Sequence, residues 1–131
     1  MHNPYKLNKN KSKTEHKKAK TMEENLKKEI VQHITKNLLD IQILTLINKE
    51  PAWGYKIKKQ IEAFSGLKIR HGALYPLLRK LEHKGLITSQ KQQQGKRTRK
   101  VYTITERGKT YIEKYYNLIN KMYGNINEKQ E

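Results

Sequence analysis

His71-Gly72-Ala73-Leu74-Tyr75-Pro76-Leu77-Leu78-Arg79-Lys80-Leu81-Glu82 is the stretch on which the fold turns. Leu74, Leu77, Leu78 and Leu81 stand at i, i+3, i+4 and i+7, the spacing that puts four side chains on one side of an α-helix. The other side carries His71, Ala73, Tyr75, Arg79, Lys80 and His83. Pro76 falls at the end of the first turn, where its missing N–H forfeits at most one ladder bond. Lys84-Gly85 supplies a basic last turn and a glycine just past it, a helix stop. This helix should bury its leucines and leave a cationic side free.

Two shorter helices are expected before it. Asp40 is a candidate cap for a helix running to about Lys49, with Leu39, Ile43, Leu46 and Ile47 on its buried side. Pro51 stops it. Gly54 opens the next, with Ile57, Ile61 and Phe64 along one side and Ser65-Gly66 at its end. Further upstream, Thr21 is a candidate N-cap, with Glu23 and Glu24 in the first turn. Leu26, Ile30 and Ile34 then form a narrow apolar stripe. Such a helix is marginal alone and should pack on another element or a second subunit. Residues 1–20 carry many lysines and only Glu15 as an acid, which reads as a disordered basic arm. The arm is either a solvated tail, a tether to a polyanion, or both.

On the C-terminal side, residues 86–92 and 97–104 read as two strands, with Gln93-Gln94-Gly95-Lys96 as a polar hairpin tip. Tyr102 and Ile104 share one face of the second strand, Val101 and Thr103 the other. Thr105-Glu106 starts a last helix. In it Ile112, Tyr115, Ile119, Met122 and Ile126 recur at alternating steps of three and four, a short seam suited to a partner helix. The expected organisation is a disordered basic arm over 1–20, an accessory amphipathic helix over 21–36, a central domain of three helices and a hairpin over 37–104, and a C-terminal dimerisation helix and tail over 105–131.

Composition narrows the chemistry. The chain has 131 residues, 34% hydrophobic and 31% charged, so one compact core with polar appendages is the fitting organisation. Lys and Arg total 29 against 12 acids, a net charge of +17 that repels itself unless a polyanion offsets it. Nucleic acid leads, with an anionic membrane surface as the rival that charge alone does not remove. The absence of cysteine excludes disulfides, thiolate nucleophiles and cysteine-bound metals. The most apolar run, 38–47, is broken by Asp40, Gln42 and Thr45 and is too short to span a bilayer. The N-terminus has no apolar stretch of the kind a secretory signal needs. A cytoplasmic, nucleoid-associated protein is expected. His2, His16, His33, His71 and His83 show no paired metal spacing, and no Ser-His-Asp array or Gly-rich phosphate loop is evident. No metal, cofactor or enzymatic activity is therefore expected.

The arrangement is mainly α with a small two-stranded β-wing: a winged helix-turn-helix plus N- and C-terminal dimerisation helices. Its third helix fits a major groove, where Arg79 and Lys80 can donate to guanine edges. Ala73 permits close approach near the helix N-terminus, which itself favours phosphate. The hairpin bears Lys91, Lys96, Arg97, Arg99 and Lys100, suited to the minor groove or flanking phosphates.

Over 39–113 these residues resemble the PadR family of transcriptional regulators. The resemblance is carried by Glu50-Pro51-Ala52-Trp53-Gly54-Tyr55 and the run from His71 to Glu82. Gly85-Leu86-Ile87 and Arg99-Lys100-Val101-Tyr102-Thr103-Ile104-Thr105-Glu106-Arg107-Gly108 follow in order. It implies a homodimeric repressor held by C-terminal helices, two wings and two third helices on a pseudo-palindromic operator of double-stranded DNA, and often a small-molecule effector. It also implies that Tyr75 and Tyr102 lie near the DNA backbone. The residue pattern alone leaves alternatives. Tyr75 suits a core-edge tyrosine, Tyr102 suits partial burial, and Trp53 suits either a packing anchor or the wall of an effector pocket. A non-specific architectural DNA-binding protein and an RNA-binding or protein-docking module are the competing functions.

Overall fold

The computed structural model describes residues 12–124. In chain order it has α1 (Ser12–Asn37), α2 (Leu39–Lys49), β1 (Ala52–Trp53), α3 (Gly54–Ser65), α4 (His71–His83), β2 (Ile87–Gln94), β3 (Arg97–Ile104) and α5 (Glu106–Tyr123). Among the described residues no helix is long and apolar enough to cross a membrane.

The core forms where α2, α3 and α4 meet the base of the hairpin. Ile43, Leu44, Ile57, Leu74, Leu78 and Ile87 are essentially without solvent exposure. Each such side chain contributes roughly 1.5–3 kcal/mol on burial. Phe64, expected on the inward side of α3, is instead 69% exposed. The buried side of α3 runs at steps of four through Ile57, Ile61 and Ser65, so the last turn meets the core through Ser65 and Phe64 falls beside it.

α4 continues through Pro76 and ends in a Schellman motif. The Leu86 N–H donates to the Leu81 carbonyl at 3.0 Å and the Gly85 N–H to the Glu82 carbonyl at 2.9 Å. Gly85 has φ 73°, which its missing Cβ permits. The buried Leu81 and Leu86 complete the motif's apolar contact. Thr105 then ties this cap to α5. Its hydroxyl donates to the Gly85 carbonyl at 2.7 Å and accepts from the Gly108 N–H at 3.0 Å. Residue 108 has to be glycine, because a Cβ there would lie 2.1 Å from the Leu86 carbonyl oxygen.

The wing has three strands rather than two. β2 and β3 form an antiparallel hairpin, and β1 adds to the far edge of β3, pairing Ala52 with Tyr102 and Trp53 with Val101. Gly95-Lys96 closes the hairpin between paired Gln94 and Arg97, with φ 60° at Gly95 alone, as a type II′ turn requires.

Residues 12–20, expected as part of a disordered arm, are helical and continuous with α1; residues 1–11 of that arm lie outside the described residues. The 26-residue helix contains neither proline nor glycine and is rich in Lys, Glu and Ala-like helix formers, so its charge does not prevent it from coiling. Thr21 is therefore no cap; its hydroxyl donates to the Lys17 carbonyl at 2.7 Å inside the helix. Only the last turns of α1, through Val31 and the buried Thr35, pack on α2 and α3.

Candidate nucleic-acid interface

The amphipathic pattern of α4 sets the geometry. With Leu74, Leu78 and Leu81 turned inward, His71, Ala73, Arg79 and Lys80 are exposed and Tyr75 is half-buried. Tyr75 is held from two sides. His71 stacks on its ring with centroids 5.5 Å apart and planes 8° from parallel. Across from it lies Gly54, where a Cβ would come within 2.8 Å of the Tyr75 ring. The glycine that opens α3 thus makes room for the tyrosine of α4, which links two motifs that looked separate in the sequence.

The wing lies beside this face. Lys91, Lys96, Arg97 and Lys100 are exposed and Arg99 is half-buried. Lys91 sits directly opposite Lys100. Like charges in that position destabilise a sheet, a cost that an approaching anion removes. Among the described residues the ion pairs are Lys56–Glu50, Lys59–Glu62 and Lys109–Glu106. None engages the cations of α4 or the wing. The wing is anchored at its base, where the Ser89 hydroxyl donates to Glu82 of α4.

Between α4 and the wing runs an open cleft of about 610 Å³, lined among others by Trp53, Tyr55, Tyr75, Arg79, Arg99 and Lys100. Its walls are aromatic and its rim cationic, which suits an anion carried on a flat or ribbed surface better than an apolar ligand. Trp53 and Tyr55 were not expected on this surface. A two-residue strand is too short to show a period, so nothing in the sequence set β1 beside the wing.

Two sequence expectations need correction. Tyr102, expected near the DNA backbone, is 4% exposed, because its face of β3 turns toward the core, where Tyr75, Arg79 and Glu82 of α4 are its neighbours. Burial first, then the neighbouring Glu82 and Tyr75, push its phenol above the usual value, with Arg79 partly opposing. Tyr102 therefore keeps a neutral hydroxyl, and it is among the residues that line the cleft rather than standing on the open surface of the wing. Ile112, expected in a partner seam, is 8% exposed and belongs to the chain's own core. Tyr115 packs against that core too, and burial raises its phenol. α5 exposes Tyr116 at 46%, Leu118 at 58%, Met122 at 73% and Tyr123 at 66%, while Ile119 is half-buried. On α1, Leu26, Ile30 and Ile34 are 52%, 57% and 42% exposed.

Residues 43–114 match the model of the transcriptional regulator PadR-like family, a little over half of the chain. Solved structures resemble the chain as well. A PadR-like transcription factor from Bacteroides fragilis superposes with a TM-score of 0.64 at 24% identity, over 76% of this chain and 96% of that one. A PadR family transcription regulator from Clostridium difficile R20291 gives 0.55 at 32% identity, over 63% and 91%. Bacillus subtilis PadR, solved in complex with operator DNA, gives 0.56 at 32% identity, over 60% of this chain and 45% of that one. No curated protein sequence matches the chain.

Proposed function

The chain belongs to the PadR-like family of transcriptional regulators, and from that premise we propose that it binds operator DNA sequence-specifically as a dimeric repressor. In this reading α4 enters the major groove with His71, Ala73, Arg79 and Lys80 toward base edges, and Tyr75 lies near the backbone. Lys91, Lys96, Arg97, Arg99 and Lys100 of the wing take phosphates or the minor groove. A second copy covers the apolar stripe of α1 and the end of α5, through Leu26, Ile30, Ile34, Tyr115, Ile119 and Met122. Two-fold symmetry then asks for a pseudo-palindromic site with half-sites roughly 34–36 Å apart.

The observation that carries the proposal is the division of α4: leucines buried on one side, cations without an ion pair among the described residues on the other, beside a hairpin with lysines facing each other. The B. subtilis relative seen with operator DNA supports the same partner. The test is selection of bound duplexes from a random pool at near-physiological salt, followed by variants. Arg79→Ala should flatten base preference by about 1–3 kcal/mol at one position per half-site. Lys96→Ala should weaken every duplex alike and lower the salt slope by about one per lost phosphate contact. Selection that yields no motif, with equal affinity for random duplexes, would favour architectural binding instead.

A further inference from the structure

We propose, resting on the DNA-binding reading above, that Trp53 is a positioning residue for DNA: its indole face holds the Arg99 guanidinium at the mouth of the cleft, where that guanidinium takes a backbone phosphate.

The placement follows from the register of the sheet. Trp53 stands opposite Val101, two positions from Arg99 on the same face of β3. A diagonal neighbour at that spacing is within reach of a long side chain. The Arg99 guanidinium carbon lies 4.9 Å from the centroid of the indole ring, and Lys56 Nζ lies 5.9 Å from it. Both fall within the roughly 6 Å over which a ring quadrupole attracts a cation. The two cations differ in what else they hold. Lys56 is paired with Glu50 at 2.7 Å, whereas no ion pair among the described residues uses Arg99. A guanidinium resting on a ring keeps its in-plane N–H fork open, and that fork matches two phosphate oxygens.

Restraint is the advantage. Arg99 is half-buried while Arg97, Thr98 and Lys100 around it are exposed. Long exposed cations lose rotamer freedom when they bind, and one already ordered loses less. The indole Nε1 is buried without a hydrogen-bond partner, so phenylalanine at this position would keep a ring and remove an unpaired donor.

The experiment measures affinity of the full chain for a selected duplex and a random one across salt concentrations. The variants are W53F, W53L, R99Q and W53L/R99Q, each checked for a cooperative melt. W53L is expected to weaken both duplexes by roughly 2- to 30-fold, the range of a cation–π contact. W53F should lose less than W53L. R99Q should flatten the salt slope by about 0.9. The double variant should bind no more weakly than R99Q alone, because the indole then has nothing to hold. A merely structural Trp53 would weaken the R99Q protein by its full factor again, and that result overturns the proposal, as does W53L binding like wild type. Should W53L not fold, W53F and W53F/R99Q carry the same cycle. Trp53 is the chain's one tryptophan, so its emission in the free protein reports on the contact directly. R99Q should change that emission, and identical spectra would refute the stacked arrangement. If wild type binds no duplex at all, the DNA-binding reading falls first; if it binds and only the cycle fails, this proposal falls alone.

Discussion

α4 and α1 are both amphipathic helices, and they use their apolar sides differently. In α4, Leu74 and Leu78 are fully buried and Leu81 is 3% exposed. In α1, Leu26 and Ile30 remain more than half exposed although they repeat at helical spacing. The contrast comes from tethering. α4 is 13 residues long and fixed at its C-terminus by a Schellman motif and at its wing by Glu82–Ser89. α1 runs for 26 residues, about 39 Å at the usual rise, and only its last turns meet α2 and α3. Apolar spacing thus decides which residues share a side, and chain connectivity decides whether the same chain covers them.

Equivalent truncations should separate the two helices. Leu78→Ala leaves a cavity in the core and is expected to cost about 2–5 kcal/mol by denaturant unfolding. Ile30→Ala should change the unfolding of a dilute sample by less than about 0.5 kcal/mol. Similar losses at both positions would mean that α1 is covered even in the isolated chain. Next in size is Gly108→Ala. Its Cβ would meet the Leu86 carbonyl, so α5 must shift on the α4 cap, with an expected loss of about 1–3 kcal/mol in a thermal melt.

A smaller effect on the chain itself, but a decisive one for assembly, is expected of the double variant Leu26→Lys/Ile30→Lys. Dilute samples should melt within about 0.5 kcal/mol of wild type, since neither side chain is buried in the chain. Sedimentation at higher concentration should show a shift from dimer to monomer, with weaker operator binding. An unchanged dimer would remove α1 from the proposed interface and leave the end of α5 to form it alone.

The helix-turn-helix was legible because its signals agree at every level: leucine spacing, the Lys84-Gly85 stop and the Gly95 turn all point to one arrangement. Where the reading failed, a single pattern had two physical realisations. Strand alternation placed Tyr102 with Ile104 but did not say which face lies inward; packing on the helices settles that, and it turns Ala52, Ile87 and Tyr102 alike to the core. Steps of three and four in α5 describe a partner seam and a core face equally well, and Ile112 took the core. The lysines of 12–20 suggested disorder, yet lysine forms helices nearly as well as leucine does, and no breaker intervenes. Of the interface, the cations of α4 and the wing were visible as charge. The aromatic side chains among them, Trp53 under Arg99 and Tyr75 beside Gly54, depend on contacts between elements that no local pattern records.

The smallest expected effect concerns the entry to α4. The turn before it is held by Glu62, whose Oε2 accepts the Ile69 N–H at 2.8 Å, and by Ser65, whose hydroxyl accepts the Leu67 N–H at 3.1 Å. The Ile69 N–H holds the Glu62 carboxyl below the usual carboxylate range; burial opposes this, and Lys58, Lys59 and Lys68 reinforce it. A carboxyl depressed in the folded state stabilises fully above its unfolded-state pKa, and the contribution fades as pH falls through the lower folded value. Wild type should therefore melt above Glu62→Gln at neutral pH, and the gap should close in acid. The α1 stripe supplies the control, because Ile30→Ala removes no titrating group and should keep a constant offset from wild type over the same range. A Glu62→Gln gap that persists undiminished into acid would show that the turn before α4 is held by its backbone and by Ser65, without help from the carboxylate charge.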